Sequence, residues 1–193
     1  GSGRINAFKA VSTENALAVR AIDIKFSDAP PGGNGNGAFE PGEQCTIELT
    51  FVNYLSAASN FSVYASTNSQ YITINSSAYN AGAIAVYDTF SNQSNKIVFT
   101  VGTNVPPNSV VDFVLTYVDG DKMDYQWISA TVNPSYATQA GNKIALTITS
   151  KGTLGFNDYY TNLQGDGFRY DNGPNLLFEG SFMYGTSASK VVD

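Results

Sequence analysis

Apolar residues recur at every second position through much of this chain. Val111, Phe113, Leu115 and Tyr117 share one parity, as do Ile97, Phe99 and Val101 in a second run and Cys45, Ile47, Leu49 and Phe51 in a third. Side chains of a strand alternate between two faces, so each run predicts a strand with one face in a core. Strands are predicted over 16–26, 44–53, 60–66, 71–74, 95–101, 109–118, 122–132 and 143–149. In the first of these, Leu17, Val19 and Ala21 form one face before the alternation blurs at Ile22 and Ile24. Asp119-Gly120, between two strong runs, predicts a tight hairpin, because Asp-Gly readily takes the positive φ that matches strand twist.

Seven or eight short strands separated by turn residues define an all-β chain: an immunoglobulin-like or jelly-roll antiparallel sandwich over 14–134. The pattern breaks at Asn133-Pro134-Ser135, and a polar stretch runs to Gly141. Residues 141–193 then form a smaller β unit, short enough for a single core to be marginal. Its apolar Ile144, Leu146 and Ile148 call for a covered face, expected on the sandwich or on a sister chain. Aromatic residues crowd this second unit: Phe156, Tyr159, Tyr160, Phe168, Tyr170, Phe178, Phe182 and Tyr184. They are expected chiefly as its core. The alternative is a surface that stacks on sugars or a partner protein, rimmed by Asp158, Asp166, Arg169 and Asp171. At the other end Ile5, Phe8 and Val11 follow a helical spacing, which predicts a helix within 1–13.

Composition narrows the function more by exclusion than by indication. Of 193 residues 42% are hydrophobic and only 13% charged, with 10 Lys+Arg against 16 Asp+Glu and a net charge of −6. No basic run is present to neutralise a phosphate backbone, so nucleic acid is not an expected partner. No apolar stretch reaches the roughly 18 residues of a membrane-spanning helix. The N-terminus lacks signal-peptide order, so an exported parent would carry its targeting sequence upstream. The lone cysteine, Cys45, is expected in the core. The sequence has no histidine, so neither a Ser-His-Asp nor a Cys-His site assembles within this chain, and no enzyme activity of its own is expected. No spacing singles out a carboxylate pair, and Gly165-Asp166-Gly167 reads as a turn rather than a nucleotide loop. Asn-x-Ser sequons begin at Asn60, Asn75 and Asn92, and they matter only in a eukaryotic secretory pathway.

The candidate chemistry lies in the long loop 27–42 and its exit. Calcium takes six to eight oxygen ligands, and a Gly-rich chain curls tightly enough to present several to one ion. Asn34, Asn36 and Glu43, with Asp28 or Glu40, are the residues expected to supply them. The alternative reading is an Asn-Gly turn region with Glu43 simply exposed.

Three resemblances bear on origin. Gly1-Ser2-Gly3-Arg4-Ile5-Asn6-Ala7 resembles the segment with which subtilisin-like serine peptidases close their catalytic domain, ahead of a final amphipathic helix. The string from Asp28 to Glu43, with its Gly33-Asn34-Gly35-Asn36-Gly37 and Glu40-Pro41-Gly42-Glu43, is similar to a calcium-associated loop at the start of β-sandwich modules appended to secreted bacterial proteases and surface proteins. It departs from that loop in carrying Asn36 and Ala38 where acidic residues would raise affinity. Segments 152–157, 165–170 and 176–180 also look like a stretch found after such sandwiches in large exported proteins of Bacteroidetes-type bacteria.

These resemblances imply the non-catalytic C-terminal region of a secreted subtilisin-like peptidase. Its role would be stabilisation, spacing, surface anchoring or substrate binding, outside the cell or at its surface. The implied partners are the upstream catalytic domain and a cell-surface protein or glycan. Two other readings stand beside it: a surface adhesin or self-associating structural protein, and a carbohydrate-binding module using the aromatic-rich segment.

Overall fold

A computed structural model describes residues 16–150, 152–154, 167–177, 180, 184–187 and 190–192. The helix expected over 1–13 lies outside them. The chain divides into two compact units, Gly1–Val132 and Asn133–Asp193.

In the first unit the chain forms β1 (Val19–Ser27), β2 (Gln44–Asn53), β3 (Ala58–Ser66), β4 (Ile72–Ser76), β5 (Ala78–Ile84), β6 (Thr89–Ser91), β7 (Ile97–Val101), β8 (Ser109–Asp119) and β9 (Lys122–Val132). One sheet runs β1-β2-β7-β4, with β6 also pairing β2, and the other runs β5-β3-β8-β9. Every pair is antiparallel. With the short β6 and the edge strand β5 set aside, β1-β2-β7-β4 against β3-β8-β9 is the ABED-against-CFG order of an immunoglobulin-like sandwich, so this alternative holds over the jelly roll. The predicted alternation is the inner face. Cys45, Ile47, Leu49 and Phe51 of β2 are fully buried, as are Phe113, Leu115 and Tyr117 of β8.

Aromatic rings bridge the two sheets in two groups. Phe51 of β2 meets Phe61 of β3 at 6.3 Å and Tyr117 of β8 at 6.1 Å, both edge to face. Phe99 of β7 meets Phe113 of β8 at 5.1 Å. Each buried ring contributes about 1.5–3 kcal/mol of burial energy, and the edge-on pairs add about 0.5–1.5 kcal/mol.

The blurred alternation in the first strand is a β-bulge. Ala21 lies opposite Phe51 but Asp23 opposite Thr50, leaving Ile22 as the extra residue, 55% exposed. The parity therefore switches, so that Ile24 and Phe26 lie opposite the buried Leu49 and Ile47; Phe26 packs against the core while Ile24 stays 36% exposed. The Gln126 side chain from β9 grips this bulge. Its Oε1 accepts the Ala21 N–H at 3.1 Å and the Tyr117 hydroxyl at 2.8 Å, and its Nε2 donates to the Ala21 carbonyl at 3.0 Å. Arg20 and Asp124 form an ion pair beside it at 2.7 Å.

The hairpin expected at Asp119-Gly120 exists, shifted by one residue. Asp119 pairs with Lys122, so the loop is Gly120-Asp121, with Gly120 alone of the two at positive φ (58°). That is the geometry of a type II′ turn. Asp119 is the buried last residue of β8, and its Oδ1 accepts the N–H groups of Ser59 and Asn60 at 3.0 and 2.9 Å where β3 begins.

Six of the fourteen described strands fall outside the predicted ranges, and three of them show why. In β5 two register shifts against β3 flank Gly82, at φ 73°, and break the period. β6 is three residues long. β10 (Tyr136–Gly141) is polar and exposed on both faces, so it carries no apolar period, and it stands where a polar connector is expected.

The second unit holds β10, β11 (Ile144–Thr149) and β12 (Phe168–Tyr170) in one antiparallel sheet, and a hairpin of β13 (Tyr184–Ser187) and β14 (Lys190–Val192). β11 is flanked by β10 and β12, so the expected pairing with the sandwich or a sister chain gives way to partners within the unit. The covered face is also the opposite one. Thr147 and Thr149 are buried whereas Ile144 and Ile148 are 50% and 41% exposed. Burial is tolerable for these hydroxyls because they are bonded, Thr147 to Thr138 at 2.8 Å and Thr149 to Thr153.

One buried amide completes the sandwich. β7 covers β2 over Gln44–Ile47 and β6 over Thr50–Val52, and Asn92 fills the gap. Its Oδ1 accepts the Leu49 N–H at 2.7 Å and its Nδ2 donates to the Ile47 carbonyl at 3.1 Å. Asn92→Leu removes the acceptor of the Leu49 N–H and a donor to the Ile47 carbonyl and is expected to cost about 1–3 kcal/mol in urea unfolding. Asn60→Ala, at an exposed side chain, should stay within about 0.5 kcal/mol.

Candidate functional site

The loop between β1 and β2 begins with Asp28-Ala29-Pro30-Pro31-Gly32-Gly33, and its first glycines are there for space. A Cβ at Gly33 would collide with the Asp28 carbonyl, and one at Gly32 with the Gln44 carbonyl. The loop folds back on Asp28, which is buried at 5% exposure. Its backbone carbonyl accepts the Gly35 N–H at 3.1 Å, and its Oδ2 accepts the Gly37 N–H at 2.9 Å. Phe39 packs on Phe26 at 6.0 Å and ties the loop to the core. The exit is fixed by backbone bonds between Gly42 or Glu43 and Val101 of β7, both 2.9 Å.

All five predicted site residues take part in this one bonded loop. Glu40 Oε2 accepts from the side-chain amides of Asn34 at 2.6 Å and Asn36 at 3.1 Å. Glu43 bonds the Asn34 N–H through Oε1 at 3.0 Å and the Glu40 N–H through Oε2 at 2.9 Å. The amide oxygens of Asn34 and Asn36 accept the N–H groups two residues on, at 2.9 and 2.7 Å, the local turns these residues favour. Glu43 is thus tied into the loop rather than projecting as a bare surface charge.

Each of the five side chains carries the oxygen that a hard cation takes, but Asn34 and Asn36 turn their amide nitrogens to Glu40 Oε2 and their oxygens to backbone N–H groups. Here N–H groups supply the positive ends that neutralise the carboxylates. Among the described residues no group of three or more His, Cys, Asp or Glu lies close enough to hold a metal ion.

Cys45 sits directly past this loop, fully buried on β2. Burial, reinforced by the negative charges of Glu43 and Asp28, pushes its thiol up to about 12. It is a small core side chain with no thiolate to offer at neutral pH. Of the three sequon asparagines, Asn92 is wholly buried. In the second unit the aromatics Phe156, Tyr159, Tyr160, Phe178 and Phe182 lie outside the described residues, while Tyr170 is 53% exposed with the Lys143 ammonium 5.8 Å from its ring centre. No described helix is long and apolar enough to cross a membrane.

Sequence reasoning missed the outer face of the second sheet, where Met123, Tyr125 and Trp127 are all more than half exposed. The signal was present. Over 122–132 apolar residues occupy both parities, Ile128, Ala130 and Val132 facing in and Met123, Tyr125 and Trp127 facing out, whereas a strand with one solvated face should show only one apolar parity.

No protein-family model matches the chain, and no curated protein matches it. Among solved structures it is similar to native alpha-2-macroglobulin from Escherichia coli, in a crystal structure spanning domain MG7 to the C-terminus, with 13% identity and a TM-score of 0.41. The match covers 65% of this chain and 18% of that one. A likeness so distant assigns no function.

Burial also pushes the Tyr117 phenol up to about 12, against the lowering effects of the Ala21 N–H and the Arg20 charge. Both raised groups hold their protons more tightly folded than unfolded. Their contribution to stability is therefore complete below about pH 9, where an unfolded thiol begins to ionise, and is lost as pH rises towards 12. Melting temperature should fall between pH 9 and 11, and Tyr117→Phe should flatten the part of that fall above pH 10. An equal fall in the variant would show that Tyr117 does not carry it.

Proposed function

We propose that this chain is a non-catalytic module from the C-terminal region of a secreted subtilisin-like peptidase, working outside the cell or at its surface to stabilise, space or anchor the catalytic domain upstream of it. The reading draws its parentage from the Gly1-to-Ala7 segment and its module type from the immunoglobulin-like sandwich. The observation that carries it is the loop Asp28 to Glu43, whose glycines, amides and carboxylates sit at the sandwich end in one bonded knot. Discovery of an upstream coding region without Asp, His and Ser in subtilase contexts would sink the parentage.

The same reading gives the loop a structural calcium ion. Asp28, Asn34, Asn36, Glu40 and Glu43 would hold it, and the ion would supply the positive charge that backbone and side-chain N–H groups supply otherwise. Its effect would be on stability rather than chemistry. An ion bound only by the folded state adds RT ln(1 + [L]/Kd), about 2.7 kcal/mol at a hundredfold excess over Kd. The melting temperature is expected to rise with millimolar calcium and fall with chelator, and Glu43→Gln to abolish the difference. Superimposable melting curves with calcium and with chelator would remove the ion from the proposal while leaving the sandwich module untouched.

A further inference from the structure

The sheet β5-β3-β8-β9 turns its second face away from the core, and that face is poor in charge. Met123, Tyr125 and Trp127 alternate along β9 at 73%, 62% and 57% exposure. Thr116 lies opposite Tyr125, and Tyr64 of β3 lies beyond Thr116 at 46% exposure. Strands about 4.8 Å apart, with same-face neighbours about 6.8 Å apart along each strand, place the backbones of Tyr64, Tyr125 and Trp127 within roughly 7–12 Å of one another. Among the described residues Asp112 is the one charge at the outward positions of β3, β8 and β9. An ordinary soluble surface is about 25–35% charged, so this face is not built for a partner steered by charge.

Trp127 also lines a cavity of about 410 Å³ together with Asn68, Gln70 and Asp112. The volume falls in the range of small-ligand sites. The polar ends of these three side chains have no hydrogen bond or ion pair to the other described residues. They are open to an outside donor or acceptor. A partner surface of aliphatic side chains would cover the rings yet leave the amide and carboxylate ends desolvated and unmatched. A sugar ring satisfies both, because its C–H face lies on an aromatic plane while its hydroxyls both donate and accept.

We propose that this face and its cavity bind an uncharged polysaccharide chain. One sugar stacks on Trp127 and exchanges hydrogen bonds with Asn68, Gln70 and Asp112. Its neighbours lie along Tyr125 and Tyr64. The site belongs to the first unit alone and holds whether or not the parent is a peptidase.

Trp127 is the sequence's single tryptophan, so its emission reports directly on the site. The full chain is titrated with cellohexaose, laminarihexaose, xylohexaose, mannohexaose, maltohexaose and chitohexaose. A saturable blue shift is expected with at least one of them, and Asp112→Ala or Asn68→Ala should weaken it about tenfold or more. On affinity gels containing the matching polysaccharide, Trp127→Ala should lose retardation and Tyr64→Ala should lose part of it, with melting curves unchanged. The proposal is overturned if none of the six sugars moves the emission, or if Trp127→Ala is retarded as strongly as the wild type. It is equally overturned if the blue shift follows protein concentration without sugar, which would make the face a contact between copies of this chain.

Discussion

A dry sandwich core requires that every backbone group bordering it be paired, and where the strands stop short of one another side-chain amides complete the pairing. Asn92 stands in for two residues of strand beside β2. Gln126 bonds both backbone groups of Ala21 at the bulge and so joins β9 to β1, the edges of different sheets. Asn53, also fully buried, donates to the carbonyls of Ser56 and Ala85 and holds two loops at one end. An amide is suited to this because it carries a donor and an acceptor at nearly the spacing of a peptide group. The aromatic contacts between the sheets lie on the inner side of these same strands, Phe51 two residues past the Leu49 that Asn92 seals.

The period-2 face of the sandwich was legible because one side of each main strand is buried and the other is not. The runs in β2, β7 and β8 and the long hairpin to β9 follow directly from alternation. What stayed hidden was structure made by pairing rather than burial. β10 has no buried residue, and β5, though Ile84 is buried and Tyr79 and Ala81 pack on the core, loses its period to register shifts, so neither leaves a regular alternation. In β11 the period was visible but its direction was not, because hydroxyl pairs reverse which side is covered. The five loop residues were singled out by their oxygen-bearing side chains, but their bonds to one another were not legible. The outward aromatics of β9 were overlooked because two apolar parities read as one strong strand.

Placement of the loop and the aromatic face follows from the same scaffold. The loop is a long connection between adjacent strands of one sheet, free to lengthen without disturbing the register on either side. The aromatic face lies on the other sheet, whose inner side is fully used by the core, so substitution there leaves the packing intact. A sandwich of this kind therefore carries two surfaces that vary independently, one set by backbone curl and oxygen donors, the other by flatness and rings.

Asn92 has a consequence for how the chain is produced. It begins a glycosylation sequon, yet in the native state its amide is sealed between Ile47 and Leu49. An oligosaccharyl enzyme in a eukaryotic secretory pathway meets the growing chain before β2 and β6 have come together, while that nitrogen is still open. A glycan attached then would consume the donor and place a bulky hydrated group where no space exists. Passage through such a host would convert a structural asparagine into a folding block, whereas a bacterial host leaves it free to close the sheet.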